Sequence, residues 1–549
     1  MRKLIWLGAG TLLAMLGVAC GDEVTTVDDD DAISVGVGAG DVGGGSGDGG
    51  GVVGKPEVDT ARAPTEYTVA VAFTGGLPDW ASDVGRYALG GGGGELAIES
   101  LSADAATGEV MLTTARQKLG VDYTLTIVTD EGDETRTFPS ADTASFWASD
   151  FSSPNFDDVK VEAARAVVGT HGVIYLELGY EGTSGVADAI KRFDESIYPI
   201  ETDLFAKPDD VDDNGKIVLL GLDGGNAYGG YFGPINALPD EMTFSQWGRH
   251  SNEMEMVYIN VRMGDFDHDV VLPHEFEHLL YAAHHGFLTA DWPYHNEGLA
   301  ECAVRAVNGA HSYALEYLVA DPSGGVARGP SLVHWDYGNY DNYVLAYLFW
   351  SYVAGQLDGT TTYAELFDVD GDPAAIQTYL QSKLGLDFAE VQLRSLAAAH
   401  AQQATGPAGF EGFITLPGNA PLAPSGSLDL APFAGLLLSP GVATSMNPPT
   451  GAGPNLIYAG VNAAGAIDVT APYDVAGGVL VALNARFDVN DATAEPVGSP
   501  VSAFAPGGHA HETVDLERFI RASRLHPPPF NPARLDRMRA WQRSVGLVP

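Results

Sequence analysis

The stretch HEFEHLLYAAHHGFLTADWPYHNEGLAE, residues 274–301, decides how the middle of this chain folds. His274 and His278 stand four apart, so on an α-helix they lie one turn apart on one face. Glu275 projects about a third of a turn from His274. Pro273 suits a helix that starts near Leu272, because the first turn has no use for its missing N–H. WPYHNEGLAE predicts a second helix. On it Glu297 comes nineteen residues after His278, and Glu301 lies one turn further along the same face.

Two imidazoles on one face have the reach to share a zinc ion. A hydrolytic zinc takes three protein ligands and keeps one position open. Glu297 can be the third ligand. A ligating histidine passes its other ring proton to a carboxylate or carbonyl, a role open to Glu301. Glu275 is then the general base. The bland alternative is a pair of amphipathic helices in a histidine-rich region, which also holds His284, His285 and His295. It does not account for a carboxylate helix at the required distance with its own i, i+4 acid.

The surrounding chain sets the context. A length of 549 residues calls for several domains, and 45% apolar content lets most of it fold. A net charge of −45 argues against nucleic acid as a partner. Residues 1–20 read as a lipoprotein-type export signal: Arg2 and Lys3, an apolar run too short for a bilayer, then Ala19-Cys20-Gly21 with Cys20 as the lipidation site. Gly17 departs from the usual lipoprotein box. With Cys20 lipidated, Cys302 has no disulfide partner in the monomer. Residues 21–63, rich in Gly and Asp, read as a disordered tether.

Short alternating segments such as EYTVAVAF, GEVMLTTA and DYTLTIVTD predict an immunoglobulin-like β-sandwich over 64–149. Strands and helices mix over 150–405. There VADAIKRFDESIYPIETDLF predicts an amphipathic helix, KIVLLGLD a strand, and NYDNYVLAYLFWSYVAGQL a buried core helix. EMEMVYINV is a strand, either at an edge, where a peptide could add to it, or in the sheet interior. PNLIYAGVNA and GVLVALNARF place a second sandwich in 406–512. Residues 513–549 carry a Pro-containing segment and a basic terminal helix that docks on its own acidic protein.

Asp210, Asp212, Asn214 and Gly215 imitate the opening of a calcium loop, D-x-D-x-N-G. Its twelfth position is Gly221 rather than an acid, and Asp223 is the substitute. Asp368, Asp370 and Asp372 form a weaker version, with Pro373 in the glycine position.

HEFEH followed by NEGLAE resembles the gluzincin zinc metallopeptidases, and the wider context resembles the hyicolysin-type neutral metallopeptidases. IYPIETDLF, DDVDDNGKIVLLGLD, GGYFGP, NEMEMVYIN and YLFWSYVAGQLDG match landmarks of that family in its order, over about residues 150–360. His295 stands where the family has an apolar residue. The resemblance implies a gluzincin metallopeptidase domain; with the two β-sandwich domains read from the strand patterning on either side of it, the expected fold is a multidomain α+β protein. It also implies Zn2+ and a tyrosine or histidine that stabilises the oxyanion; Ca2+ as a second ion is expected from the Asp210 loop alone. Tyr343 sits where the pattern has a tyrosine; Tyr340, Tyr347 and His334 are its rivals.

The expectation is an exported zinc endopeptidase. It would be held at the cell envelope or surface by a lipid anchor, or secreted, and would act on protein or peptide substrates. Oligomeric state is left open. One alternative is a surface binding or adhesion protein with a structural or inactive zinc site. Another is a zinc aminopeptidase, although NEMEM does not meet the amine-binding motif of that class.

Overall fold

The computed structural model describes residues 55–486, apart from 152, 154–155, 226–227, 264–265, 267–268, 287–291, 313, 316–328, 336–339, 421, 423–429 and 449–454. The export signal with Cys20, the Gly/Asp tether and the basic terminal helix lie outside the described residues.

The first strands are β1 (Glu57–Thr65), β2 (Thr68–Thr74), β3 (Tyr87–Gly91), β4 (Ile98–Asp104), β5 (Glu109–Thr114), β6 (Asp122–Thr129), β7 (Gly132–Pro139) and β8 (Thr143–Ser149). β2, β5 and β6 coincide with the alternating segments EYTVAVAF, GEVMLTTA and DYTLTIVTD, and each buries one apolar side. β3, β6 and β7 form a three-stranded antiparallel sheet. Leu89, Leu125 and Phe138 from it share a core with Val69, Val71 and Leu112 from β2 and β5.

Next come β9 (Asp158–Val168), β10 (Gly172–Glu177), α1 (Val186–Arg192) and α2 (Tyr198–Leu204), then β11 (Ile217–Leu222), β12 (Gly230–Phe232), α3 (Asp240–Trp247) and β13 (Met256–Asn260). A π turn over Phe193–Ile197 joins α1 to α2. The sequence reads as one helix here, and Pro199 explains the interruption. It has no N–H and crowds the carbonyl four residues back, so the turn before it widens.

Ten strands make one sheet, ordered β12-β13-β11-β10-β9-β8-β1-β2-β5-β4. It does not stop at the boundary expected near residue 150, since β8 pairs with β9 from Thr143–Ala164 to Ser149–Asp158. β10, β11 and β13 are parallel neighbours. β11 and β13 are buried at every residue, which their unbroken apolar runs require. β13 pairs with β11 on one side and β12 on the other. Among the described residues the strand at this end of the sheet is therefore β12, from GGYFGP, and EMEMVYINV takes the interior position.

The helical part comprises α4 (Val271–His285), α5 (Pro293–Asn308), α6 (Tyr340–Gln356), α7 (Thr361–Phe367), α8 (Pro373–Leu384) and α9 (Phe388–Ala401). α6 is buried from Tyr340 to Ala354, as a helix apolar on all sides must be. Among the described residues no helix is long and apolar enough to cross a membrane.

The last strands are β14 (Gly435–Leu438), β15 (Ser445–Met446), β16 (Leu456–Val461), β17 (Ile467–Asp468), β18 (Tyr473–Asp474) and β19 (Val479–Asn484). They form a four-stranded sheet, β14-β19-β16-β17, and a β15-β18 ribbon. Leu437, Val461, Val481 and Leu483 of that sheet join the helical core with Leu396 and Ala397 of α9. One face of the sheet is thus covered by a helix. The molecule is a mixed α+β protein with several sheets.

Candidate metal centre

α4 begins at Val271, one residue before the expected start, with Pro273 in its first turn. His274, Glu275 and His278 are buried on it. α5 begins at Pro293 and buries Glu297 and Glu301. Two glycines set the spacing around these helices. A Cβ on Gly230 of β12 would stand 2.4 Å from Val271 Cγ1 and 3.1 Å from Glu275 Cγ. A Cβ on Gly298 of α5 would stand 2.4 Å from Trp350 Cδ1 on α6. Only glycine lets the edge strand lie against Glu275 and lets α6 close onto NEGLAE.

The three expected ligands meet. His274 Nε2 and His278 Nε2 are 3.0 Å apart. Glu297 Oε2 lies 3.3 Å from His274 Nε2 and 3.5 Å from His278 Nε2. Ligands about 2.0–2.1 Å from a tetrahedral zinc stand about 3.3–3.4 Å apart, so this triangle has the right size.

The outer nitrogens face acceptors. His278 Nδ1 is 3.0 Å from Asn296 Oδ1 and 3.5 Å from Glu277 Oε2. His274 Nδ1 is 3.6 Å from Glu301 Oε1. Hydrogens on both Nδ1 atoms leave two Nε2 lone pairs and a carboxylate oxygen pointed at one another, out of water. That donor set is complementary to a cation and poorly matched to anything else.

Glu301 has a second partner, His311, whose Nε2–H donates to Glu301 Oε2. The Nδ1 of that ring accepts from Ala314 N at 3.4 Å, which fixes the tautomer. Sequence reasoning missed both Asn296 and His311. Asn296 is adjacent to Glu297 in the motif and was open to notice. His311 follows the left-handed Gly309 that ends α5, where helical periodicity no longer speaks.

Tyr343 is buried on α6, its ring 6.3 Å from that of His274. Tyr340 stacks on Tyr343 at 5.6 Å. Tyr347 faces His311 at 5.0 Å. The His334 backbone is tied to Ser331. His295 and His284 are engaged away from the triangle. His295 Nε2 donates to Leu366 O at 3.1 Å, and burial, then His285, lower its pKa to about 3. His284 Nε2 lies 3.0 Å from Asp368 Oδ1.

The two calcium-like runs part company. Asp372 caps α8, accepting from Ala374 N at 2.7 Å, and Asp370 accepts from Asp372 N at 2.9 Å. Near β11, Asp210 and Asp212 do converge with a third acid within 4.8 Å, but it is Glu255. Asn214 turns inward, donating to Asp212 Oδ2 at 2.8 Å and accepting from Lys216 N at 2.5 Å. Asp223 is engaged by the Tyr180 hydroxyl and lies 3.4 Å from Arg262. Burial, then Asp210, raises Asp212 to about 7; burial foremost, with Asp212 adding repulsion, raises Glu255 to about 8.

No family model matches the chain. A solved structure of the N-terminal part of the bacterial S-layer protein SbsC is similar over 17% of this chain and 25% of that one, at 17% identity and a TM-score of 0.15, too slight to carry an argument. The chain is similar to the neutral metalloprotease ShpI of Staphylococcus hyicus, 27% identical over 279 residues. That match takes in 43% of this chain, and the chain spans about 60% of that relative's length. The likeness supports a metalloprotease relationship.

Proposed function

We propose that this chain is a zinc-dependent endopeptidase of the gluzincin type, acting on proteins or peptides. The observation that carries this reading is the buried triangle of His274 Nε2, His278 Nε2 and Glu297 Oε2, with Glu275 on the same helix. The likeness to a neutral metalloprotease supports it.

His274, His278 and Glu297 would hold the zinc. Zinc, when bound, acidifies water and polarises a carbonyl. Glu301 and Asn296 keep the two imidazoles in the Nδ1–H form, so that their Nε2 atoms serve as ligands. Glu275 takes a proton from the attacking water and delivers it to the leaving amine. Tyr343 donates to the developing oxyanion. β12 is one of the two edges of the sheet among the described residues and lies beside Glu275. An extended substrate adding to that edge would be held by main-chain hydrogen bonds, which suits an enzyme that cuts within chains. Export and lipidation of Cys20 are part of the proposal and rest on the leader sequence.

The test is cleavage of casein and of N-terminally blocked peptides by the full chain, with and without a zinc chelator. Chelator-sensitive cleavage of blocked peptides is expected. Cleavage confined to free N-termini would replace the reading with an aminopeptidase.

A further inference from the structure

Away from the metal centre, Asp210, Asp212 and Glu255 bring carboxylate oxygens within 4.8 Å of one another. Asp210 is exposed, Asp212 half-buried, and Glu255 only 4% exposed. Glu255 Oε2 and Asp212 Oδ1 are both shut off from water with no hydrogen-bond partner. A buried carboxylate oxygen without a donor is a costly arrangement and calls for a counter-charge. Lys118 reaches the same loop but pairs with Asp213, 3.6 Å from its Oδ2.

The donors are all oxygen, which suits a hard cation better than one that favours nitrogen or sulfur. The set combines an exposed entry with a buried carboxylate from a distant segment. Such an irregular, partly protein-walled cage fits calcium, which accepts six to eight oxygens, better than magnesium, which insists on an octahedron and keeps its waters.

We propose that Asp210, Asp212 and Glu255 form a calcium site that ties the loop before β11 to the start of β13. Glu255 already fastens the two segments, accepting from Val211 N through Oε1 while its own carbonyl accepts from Val218 N at 2.9 Å. It also lines, with Asp209, Leu279 and Ala283, a small cavity against α4. The ion would therefore brace the sheet behind the helix that carries His274 and His278. The site does not depend on the zinc reading.

The experiment is thermal unfolding of the full chain, dialysed free of calcium in buffer that keeps zinc at saturation, and then titrated with CaCl2 or MgCl2. The wild-type midpoint should climb with calcium concentration, as for any ligand of the native state, and respond far less to magnesium. Asp210→Asn should weaken the apparent calcium affinity at least about tenfold, and Glu255→Gln more, since each removes ligand charge. Asp210 is exposed, so its variant remains informative if Glu255→Gln fails to fold. The His274→Ala/His278→Ala double variant should keep the calcium response. No calcium response in folded wild type, an equal response in Asp210→Asn, an equal response to magnesium, or loss of the response in the double-histidine variant would each overturn the assignment.

Discussion

Glu301 holds His311 with one carboxylate oxygen and stands 3.6 Å from His274 Nδ1 with the other. All three residues are buried. The outer nitrogen of His274 therefore faces a chain of two side chains, the second supplied from beyond the end of α5.

That relationship predicts the effect of removing the outer member. His311→Phe should lower zinc affinity roughly 10–100-fold, the usual cost of losing a group that orients a ligand. Competition with a chromogenic chelator measures it. Unchanged zinc affinity in a folded variant would make His311 a packing residue.

Tyr343 and Tyr347 separate on position. Tyr343 neighbours His274, whereas Tyr347 neighbours His311. Tyr343→Phe should reduce kcat by about 10²–10³ with little change in KM, as expected for a donor used only in the transition state. Tyr347→Phe should leave kcat nearly unchanged. Steady-state kinetics on one blocked peptide compares the two.

The parts of the site legible in the sequence are those on regular helices. His274, His278, Glu297 and Glu301 obey a four-residue repeat that survives folding unchanged. Residues that join the site across tertiary distance left no such trace. Glu255 reads as an ordinary acid in EMEMV, and only the pairing of β13 with β11 brings it to Asp210 and Asp212. The choice between edge and interior for EMEMVYINV stays open in the sequence for a related reason. β12 is three residues long and shows no alternation, while the longer apolar run of β13 reads as a strand but does not reveal its neighbours.

Gly298 is a packing requirement. Its substitution by Ala would place a methyl 2.4 Å from Trp350 Cδ1 and 3.1 Å from Ala346 Cβ. The cost should be about 1–3 kcal/mol of stability, read from urea unfolding. Because Glu297 is the next residue, zinc affinity should fall as well.

Glu201 on α2 is fully buried, and its carboxyl oxygens have no hydrogen-bond partner. Burial, then repulsion from Glu277, holds its pKa well above the ordinary value. A carboxyl with a raised native pKa binds its proton more tightly folded than unfolded. Its stabilising contribution is present below about pH 4.3 and is lost as pH rises from there toward the native value. Glu201→Gln should remove that slope, worth up to about 1.4 kcal/mol per pH unit, and leave the variant more stable than wild type at pH 7. Urea unfolding at several pH values between 4.5 and 7 measures it.

The most direct test of the central claim is zinc content and casein cleavage measured together on purified wild type and Glu275→Gln. One zinc per chain is expected in both proteins and cleavage in the wild type alone, because His274, His278 and Glu297 bind the metal and Glu275 moves the proton. Cleavage by zinc-loaded Glu275→Gln, or a folded wild type that binds no zinc, would contradict it.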